Sequence, residues 1–404
     1  MNNTNSPFNW QNLAAEVEKD LLENILPFWL QYAPDPQNGG FYGAVSNDLI
    51  PNTSVPRSVI LCSRILWTFA AASRCYPNEA YRKMADYAYA YLLNTFKDTR
   101  DGGFFWTVDA TGQPVNSDKY SYMQAFIIYS LAEYYRITRE EQVLDEAQEL
   151  FKLVDKNFYD RNDGGYFEGA SRDWVNPSEA SFHHAEGFKK SMNTLLHIME
   201  AFTNLLRIWP DPLLSKRQQE LIEIFFDYVF DKGTGHFRLF FDEAWHSLSD
   251  HQSFGHDIEG SWLLVEAAEI AQNKALLSRS QEVALQMAQA VLEDGLAPDG
   301  SLFDEKTPQG LKHTDRIWWI QAEGVVGFVN AYQFSERPEF ARAAFQLWDY
   351  IKNYFIDRRH GDWFKRLDEY GRPVQSEEKI GPWNCPYHHS RMGLELKERL
   401  RKLV

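Results

Sequence analysis

Residues suited to acid–base chemistry interrupt six otherwise apolar segments of this 404-residue chain. Histidine exchanges protons near neutral pH, and a nearby glutamate or arginine can orient it or stabilise charge that develops in a substrate. One polar group falls in each segment, roughly every 60 to 70 residues. The groups are Arg64, Tyr122 with Gln124, Asn193 with His197, His256 with Glu259, Trp319 with Glu323, and His388 with His389.

Two of these groups have the spacing of residues that share one face of a helix. Asn193 and His197 are four residues apart, and His256 and Glu259 are three apart. We therefore expect Glu259 to hydrogen-bond a ring nitrogen of His256 and to fix the tautomer of that histidine, as a general base requires.

A glycine-rich turn followed by aromatic residues recurs six times and divides the chain into repeats. A period of this length accommodates two helices and a short hairpin, and neighbouring repeats bury the apolar faces that one repeat cannot bury alone. The sequence therefore predicts an (α/α)6 barrel of six inner and six outer helices with short Gly–aromatic hairpins, as a single catalytic domain over residues 1–404. The turns begin at Gly39, Gly102, Gly164, Gly235, Gly300 and Gly361, with spacings of 63, 62, 71, 65 and 61 residues.

Helical periodicity assigns the segments to two rings. Segments that are apolar nearly all round are expected to be buried in the inner ring, and segments with one charged face to form the outer ring. All inner helices would start at the same end of a closed barrel, so the polar groups would meet in one mouth, where helix N-termini favour an anionic intermediate. The predicted inner segments are 56–74, 120–136, 189–208, 256–271, 317–333 and 386–401, and the outer ones are 10–30, 79–96, 140–157, 213–231, 274–293 and 338–355.

Composition and charge limit the classes of molecule that this protein is expected to bind. A formal net charge of −16 argues against nucleic acid, which needs a basic surface. Three cysteines without a C-x-x-C pair argue against disulfides, and no apolar run reaches the length of a membrane span. The first ten residues are polar and unlike a signal peptide. We expect a cytoplasmic monomer or homodimer with a small sugar substrate and no nucleic-acid or membrane partner.

The residue types in the predicted mouth favour proton transfer over the other reactions considered. A zinc site could be built from His197, His256, Glu259 and His388, but no H-E-x-x-H motif or close histidine pair supports it. The chain lacks a G-x-S-x-G turn and phosphate-binding glycine loops, and a glycosidase needs paired carboxylates where this mouth is richer in histidine. We therefore expect no metal ion and no organic cofactor.

Two histidines on opposite faces of a sugar could remove a proton from C2 and return it from the other side. Arg64 and a third histidine could stabilise the enediolate oxygen, and such a site would catalyse 2-epimerisation. Each residue alone is also compatible with a buried structural position, which is the commoner place for a lone histidine on an apolar helix. Their equivalent positions in successive repeats favour a shared site. A sugar-binding protein without turnover is the alternative from another class, although binding alone needs no paired bases.

Five segments resemble motifs of the N-acylglucosamine 2-epimerase superfamily, and most closely those of its cellobiose 2-epimerase branch. The resemblance spans almost the whole chain and implies an (α/α)6 barrel that interconverts an aldose and its C2 epimer without a cofactor. The segments are 64–69 (RILWTF), 190–197 (KSMNTLLH), 255–259 (GHDIE), 318–323 (WWIQAE) and 383–388 (WNCPYH).

The resemblance also implies roles for individual residues. His256 and His388 would be the acid–base pair, and His388 would also open the sugar ring. Glu259 would support His256, and Arg64 with His197 would steady the open-chain carbonyl and the enediolate. The expected substrate-binding residues are Tyr122, Asn193, Trp319, Glu323 and Trp383, with Trp383 stacking on the sugar or on a second ring.

Two departures from the family pattern leave the preferred sugar open. Leu195 stands where cellobiose enzymes often have a histidine, and Val55-Pro56-Arg57-Ser58 replaces a segment that usually carries a Lys-Gly pair. The expected substrate is the reducing glucose or mannose unit of a β-1,4 disaccharide such as cellobiose. The alternatives are free mannose or glucose, mannose–fructose isomerisation, and N-acylglucosamine.

Overall fold

The computed structural model of this protein describes residues 8–175 and 187–401, and helices dominate both ranges. Short π-helical turns extend or interrupt several helices, at Leu21–Ile25, Leu92–Phe96, Phe225–Val229 and Ile351–Phe355. The first seven residues of the polar N-terminal segment lie outside the described ranges. The helices are α1 (Trp10–Asp20), α2 (Leu26–Tyr32), α3 (Val59–Cys75), α4 (Glu79–Tyr91), α5 (Ser121–Thr138), α6 (Glu141–Phe158), α7 (Met192–Leu206), α8 (Pro212–Ile224), α9 (Phe254–Ile270), α10 (Lys274–Asp294), α11 (Trp318–Ser335), α12 (Pro338–Tyr350) and α13 (Tyr387–Leu400).

The odd-numbered helices from α3 to α13 form the inner ring of a closed barrel. Each packs against the next, from α3 and α5 through α11 and α13, and α13 returns to pack against α3. The outer helices cover this ring, with α4 on α3, α6 on α5, α8 on α7, α10 on α9, α12 on α11 and α1 on α13. The predicted (α/α)6 barrel is confirmed, and its helices coincide with the predicted inner and outer segments to within a few residues.

The burial of the two rings follows their sequence patterns. In α3 every residue from 59 to 72 is buried, because the helix is enclosed by its inner neighbours and its outer partner. In α6 only one face is buried, along Val143, Ala147, Leu150 and Val154, and the charged face is in solvent. None of the described helices is long and apolar enough to cross a lipid bilayer.

Short antiparallel strands join each repeat to the next. The strand before an inner helix pairs with a hairpin strand of the following repeat, as β3 does with β4 and β6 with β7. The last of them, β17, pairs with β1 of the first repeat. Strand pairing therefore connects the last repeat to the first, as the packing of α13 on α3 does. The strands are β1 (Ala44–Ser46), β2 (Pro51–Asn52), β3 (Arg57–Ser58), β4 (Thr107–Val108), β5 (Pro114–Asn116), β6 (Lys119–Tyr120), β7 (Gly169–Ala170), β8 (Lys190–Ser191), β9 (Phe230–Asp231), β10 (His236–Phe237), β11 (Phe240–Phe241), β12 (Gln252–Ser253), β13 (Glu305–Thr307), β14 (Gly310–Leu311), β15 (Arg316–Ile317), β16 (Arg366–Leu367) and β17 (Glu378–Ile380).

Ion pairs between these strands and the glycine-rich turns recur around the barrel. A lysine or arginine just before an inner helix reaches an aspartate that begins the turn. In the second repeat this aspartate, Asp98, also accepts backbone N–H bonds from Arg100 and Asp101, and Gly102 and Gly103 follow with φ of 78° and 67°. Glycine adopts such positive φ without strain. The pairs are Arg57–Asp35, Lys119–Asp98, Lys190–Asp160, Arg316–Asp299 and Lys379–Asp357.

Arg57 is the member of this set that departs from the family pattern. Its guanidinium donates to Asp35, to the Gly39 carbonyl at 2.8 Å and to the Tyr91 hydroxyl at 3.3 Å. It thus occupies in the first repeat the position that Lys119 holds in the second, and it secures the turn.

We expect Arg57→Met to lower the free energy of unfolding by about 3 to 5 kcal/mol, the usual cost of leaving one member of a buried ion pair without its partner. The Asp35 side chain is 0% exposed and would lose its cation. Urea unfolding followed by circular dichroism measures the change. Arg57→Lys is the matched control and should keep most of the stability; equal stability of the wild type and Arg57→Met would contradict this role.

Candidate active site

A cavity of about 440 Å³ opens at the end of the barrel where the inner helices begin. Every inner helix contributes a lining residue from its first two turns, so six distant segments of sequence meet in one place. The wall contains every predicted site residue except Glu323, together with Trp318. The lining residues are Arg64, Tyr122, Asn193, His197, His256, Glu259, Trp318, Trp319, Trp383 and His388.

Two other polar residues of the inner helices serve the hairpins and not the cavity. The Gln124 amide accepts a hydrogen bond from the Phe104 backbone N–H at 3.1 Å and donates to the Phe104 carbonyl at 2.9 Å. His389 is fully buried with Nε2 2.6 Å from Asp362, and burial lowers the pKa of His389 to about 4. Both residues therefore help to hold the glycine-rich turns.

Arg64 lines the cavity and has no carboxylate partner among the residues that the structure describes. Its guanidinium donates to the Tyr122 hydroxyl at 2.9 Å and lies 3.5 Å from the Cys385 sulfur. It lies over the rings of Phe126 and Tyr387, at 4.2 and 5.0 Å from their centroids. No aspartate or glutamate of the described ranges lies within ion-pair distance of Arg64. A buried cation of this kind suits a ligand that becomes negatively charged.

Arg391 lies beneath the cavity and binds three buried carboxylates. The guanidinium donates to Glu200, to Glu259 and, at 2.6 Å, to Glu323, and its side chain is 1% exposed. Its flat face lies 4.3 Å from the centroid of the Tyr387 ring. These carboxylates come from α7, α9 and α11 and the arginine comes from α13, so one ionic cluster joins four of the inner helices.

The single positive charge of the guanidinium does not neutralise three carboxylates, and the three carboxyl groups therefore differ in pKa. Burial and the neighbouring Glu323 raise the pKa of Glu259 to about 7. Burial also raises the pKa of Glu323. Burial acts on Glu200 in the same direction, but Arg391 and His197 outweigh it and lower the pKa of Glu200 to about 2. At neutral pH the cluster therefore holds Glu200 ionised and Glu259 partly protonated.

The three cavity histidines have different partners at Nδ1. A carboxylate accepts from Nδ1–H and leaves Nε2 as the free basic nitrogen, whereas a hydroxyl can donate or accept and so imposes no charge on the ring. Burial, reinforced by Arg64 and Arg391, lowers the pKa of His388 well below its usual value, so this ring is neutral at neutral pH. The partners are Glu200 for His197 at 2.9 Å, Glu323 for His388 at 2.8 Å and Ser253 for His256 at 2.7 Å.

The prediction that Glu259 hydrogen-bonds to His256 is wrong. The two residues share α9, but Glu259 Oε1 accepts from Arg391 and lies 3.8 Å from His388 Nδ1, while His256 Nδ1 is bonded to Ser253. The carboxylate pairs with the positive charge of Arg391 on α13, which the spacing along one helix could not indicate. Glu259 Oε2 has no hydrogen-bond partner among the described residues.

Glu323, which was expected to contact the sugar, is not among the residues that line the cavity, and its contact with the sugar stays a prediction. Glu323 lies behind His388, where it accepts from the His388 ring, from Arg391 and from the Trp262 indole N–H at 3.1 Å. Glu259, Glu323 and His388 have ligand atoms within 4.8 Å of one another, a spacing that a metal ion could use. The Arg391 guanidinium is already bonded to both glutamates of this group, so the cluster has its own cation.

Aromatic rings form the rest of the cavity wall. The Trp319 ring contacts two histidines, with centroid distances of 4.9 Å to His256 and 5.3 Å to His388. Trp383, on the segment that leads into α13, is 41% exposed and lies 5.9 Å from the Tyr122 ring. An exposed aromatic face at a cavity mouth suits stacking against a sugar ring.

Sequence reasoning missed Glu200, Ser253, Arg391 and Tyr387. The first three are each three residues from a cavity histidine, since Glu200 follows His197, Arg391 follows His388 and Ser253 precedes His256. For Glu200 and Arg391 this spacing places the side chains on one helix face and could have identified them. Ser253 ends β12, directly before α9. The hydrogen bond from the Tyr387 hydroxyl to Glu200 forms because α7 and α13 face each other across the barrel, and no local pattern indicates it.

The two departures from the family pattern lie outside the cavity wall. Arg57 binds the first glycine-rich turn, and Leu195 is fully buried on α7, near Gly165 and Trp245. The expectation that these positions bear on the preferred sugar therefore has no structural support, because neither side chain lines the cavity.

This chain is similar to known proteins over almost its whole length. The family profile described as N-acylglucosamine 2-epimerase (GlcNAc 2-epimerase) matches residues 40–391. The cellobiose 2-epimerase of Dictyoglomus turgidum is 39% identical over 391 residues, which cover 96% of this chain and 99% of that protein. The cellobiose 2-epimerase of Bacteroides fragilis is 37% identical over 388 residues, covering 95% and 98%.

A solved structure shows the same similarity in three dimensions. The structure of a cellobiose 2-epimerase from Bacillus thermoamylovorans matches with a TM-score of 0.92 and 37% identity, and the match covers 96% of this chain and 100% of that one. Agreement at this level extends to the whole barrel.

We expect Arg391→Met to destabilise the fold by about 3 to 5 kcal/mol at pH 8, because three buried carboxylates lose their cation. Without it the pKa of Glu200 rises from its lowered value, and the pKa values of Glu259 and Glu323 rise further above the unfolded value of about 4.5. Carboxyls with raised pKa bind protons more tightly when folded, so the variant should recover stability as the pH falls from 8 to about 5. Urea unfolding at several pH values measures this. Arg391→Lys is the control that keeps the charge, and a loss independent of pH would contradict the electrostatic explanation.

Proposed function

The chain belongs to the N-acylglucosamine 2-epimerase family and is a sugar 2-epimerase, and we propose that it acts on the reducing glucose or mannose unit of a β-1,4 disaccharide such as cellobiose. Five relatives that are 33 to 39% identical over 94 to 96% of this chain are cellobiose 2-epimerases, which supports this substrate class. The observation that carries the reaction is the pair of imidazoles, His256 and His388, which line one cavity and both contact Trp319.

In the proposed reaction, His388 first helps to open the sugar ring and expose the C1 carbonyl. One histidine then takes the C2 proton, and the C–H electron pair moves into a C1–C2 double bond with negative charge on the C1 oxygen. The other histidine returns a proton to the opposite face of C2, and the carbonyl re-forms. The neutral state of His388 at neutral pH fits the role of first base in one direction of the reaction.

Arg64 supplies the charge that the enediolate needs. Its guanidinium is buried at the cavity wall and is held by the Tyr122 hydroxyl, so it is oriented before the substrate arrives. A fixed cation in a site shielded from water stabilises developing negative charge without reorganising. His197, with Nδ1 on Glu200, presents its other ring nitrogen to the same oxygen.

The proposed reaction requires neither a metal ion nor an organic cofactor. Both proton transfers are assigned to histidines, and the charge of the intermediate is assigned to Arg64. The carboxylates Glu259 and Glu323 are bonded to Arg391. A cytoplasmic location and a monomeric or homodimeric state stay predictions from the sequence.

Trp383 is assigned to the second sugar ring. It lies at the cavity mouth, beside Tyr122, where a glucose unit attached to the reducing sugar would leave the barrel. Its indole is exposed enough to stack against that unit, and free mannose or glucose would lack the contact.

We expect the epimer formed in D2O to carry deuterium at C2, because the proton that returns comes from a histidine in exchange with solvent. His256→Asn and His388→Asn should each reduce turnover on the order of 100-fold or more. NMR and mass spectrometry of the products from cellobiose, mannose, glucose and N-acetylglucosamine measure both effects. His246→Asn is a matched control at an exposed histidine outside the cavity wall. Epimer without solvent deuterium would indicate a hydride transfer and would refute the two-base mechanism.

We expect Trp383→Ala to reduce kcat/KM for cellobiose more than for mannose, by about five-fold, since one stacking contact contributes on the order of 1 kcal/mol. Steady-state kinetics with both sugars measures the ratio. Tyr370→Ala removes a 71% exposed aromatic ring outside the cavity wall and should leave the ratio unchanged. Equal losses on both sugars, or a wild-type enzyme inactive on cellobiose, would indicate a monosaccharide 2-epimerase instead.

A further inference from the structure

The Trp319 indole contacts both histidines of the proposed acid–base pair. His256 lies on α9 and His388 on α13, and Trp319 lies on α11 between these two helices in the ring. The centroid distances of 4.9 and 5.3 Å place the indole in contact with each imidazole. A rigid ring that contacts both imidazoles is placed to influence how far apart they lie.

Gly255 allows the indole to approach α9 closely. A methyl group on the Gly255 Cα would lie 2.5 Å from Cη2 and 2.8 Å from Cζ3 of Trp319, and 2.7 Å from Cγ1 of Ile320. Carbon atoms in contact lie about 3.5 to 4.0 Å apart, so a side chain does not fit here unless the indole or the helix moves. Gly255 is in the first turn of α9 and its φ is not positive. The glycine is therefore required for space and not for its backbone conformation.

We propose that Gly255 and Trp319 are positioning residues that set the separation of the two acid–base imidazoles. The inference rests on the proposed function, because it concerns two histidines that act on one carbon from opposite faces. Transfer in two steps needs both imidazoles within hydrogen-bond distance of C2, and displacements of about 1 Å have large effects on such reactions. Gly255 directly precedes His256, so any shift at this contact reaches the imidazole as well.

The separation of the imidazoles controls the fate of the enediolate. After the first histidine takes the C2 proton, the second can add a proton to the opposite face, which yields the epimer. Alternatively the first histidine returns a proton to the same face, which regenerates the starting sugar. In D2O, once the proton held by the first histidine has exchanged with solvent deuterium, this return places deuterium at C2 of the recovered starting sugar. The ratio of deuterated starting sugar to epimer therefore reports how well the second imidazole is placed.

We expect Gly255→Ala to raise this ratio several-fold over wild type. Gly327→Ala is the matched control, because Gly327 is an inner-helix glycine of the same α9–α11 pair, and its methyl would lie 2.5 Å from Cγ1 of Ile258. Ile258 does not line the cavity. This control should reduce stability and overall rate but leave the ratio unchanged. An equal ratio in wild type and Gly255→Ala, or an equal rise in Gly327→Ala, would overturn the proposal.

Second substitutions test whether Gly255 acts through the indole. Trp319→Phe removes the outer ring atoms that the methyl would meet, so Gly255→Ala should change the ratio less in this background than in wild type. Ile320→Ala removes the other close contact. Relief by Ile320→Ala alone would show that Gly255 serves core packing, and would refute the positioning role.

Trp319→Phe alone provides a test that does not depend on the folding of Gly255→Ala. Without the outer indole ring the spacer is smaller, and the ratio should rise even with Gly255 in place. An unchanged ratio in this variant would refute the spacer role of Trp319. Wild-type enzyme that forms epimer without any solvent deuterium would instead refute the proposed function itself, so the two failures are distinct.

Discussion

The ionic cluster around Arg391 is the constraint on which the rest of the site depends. Its guanidinium binds Glu200, Glu259 and Glu323 beneath the cavity, in a place almost closed to water. Charges buried at this depth are stable only when paired and hydrogen-bonded, so the four helices that carry them have one favourable arrangement. Two of these carboxylates, Glu200 and Glu323, are also hydrogen-bonded to cavity histidines. The same cluster therefore holds the barrel centre together and orients the groups above it.

The positive charge of Arg64, at the cavity wall, has a different environment. Arg64 is buried beside Tyr122 and aromatic rings, without a carboxylate among the described residues. His388 is kept neutral by burial and by the two nearby guanidiniums, whereas His256 Nδ1 is bonded to the Ser253 hydroxyl. A site with a buried cation at its wall and differently held imidazoles is suited to form a transient anion by proton transfer.

Much of the fold could be predicted from the sequence because each repeat has a local sequence pattern. The glycine-rich turns, the apolar inner segments and the charged outer faces predicted the barrel and the bounds of its helices. The predicted cavity residues followed from one rule, that inner helices start at the same end. One prediction failed because the partner lay on another helix: Glu259 was matched to His256 on its own helix but binds Arg391. The bond between Glu323 and His388 also joins two helices and was not predicted.

By itself, the sequence determined the period, the two classes of helix and the set of polar residues that enter the mouth, because these depend on residue order and on the 3.6-residue turn of a helix. The tertiary structure decided which of those residues pair. Buried charges choose partners by distance and by the need to be neutralised, and both are set only when α7, α9, α11 and α13 meet around Arg391. The space that Gly255 leaves for Trp319 was decided at the same stage, since close packing between helices has no signature within either one.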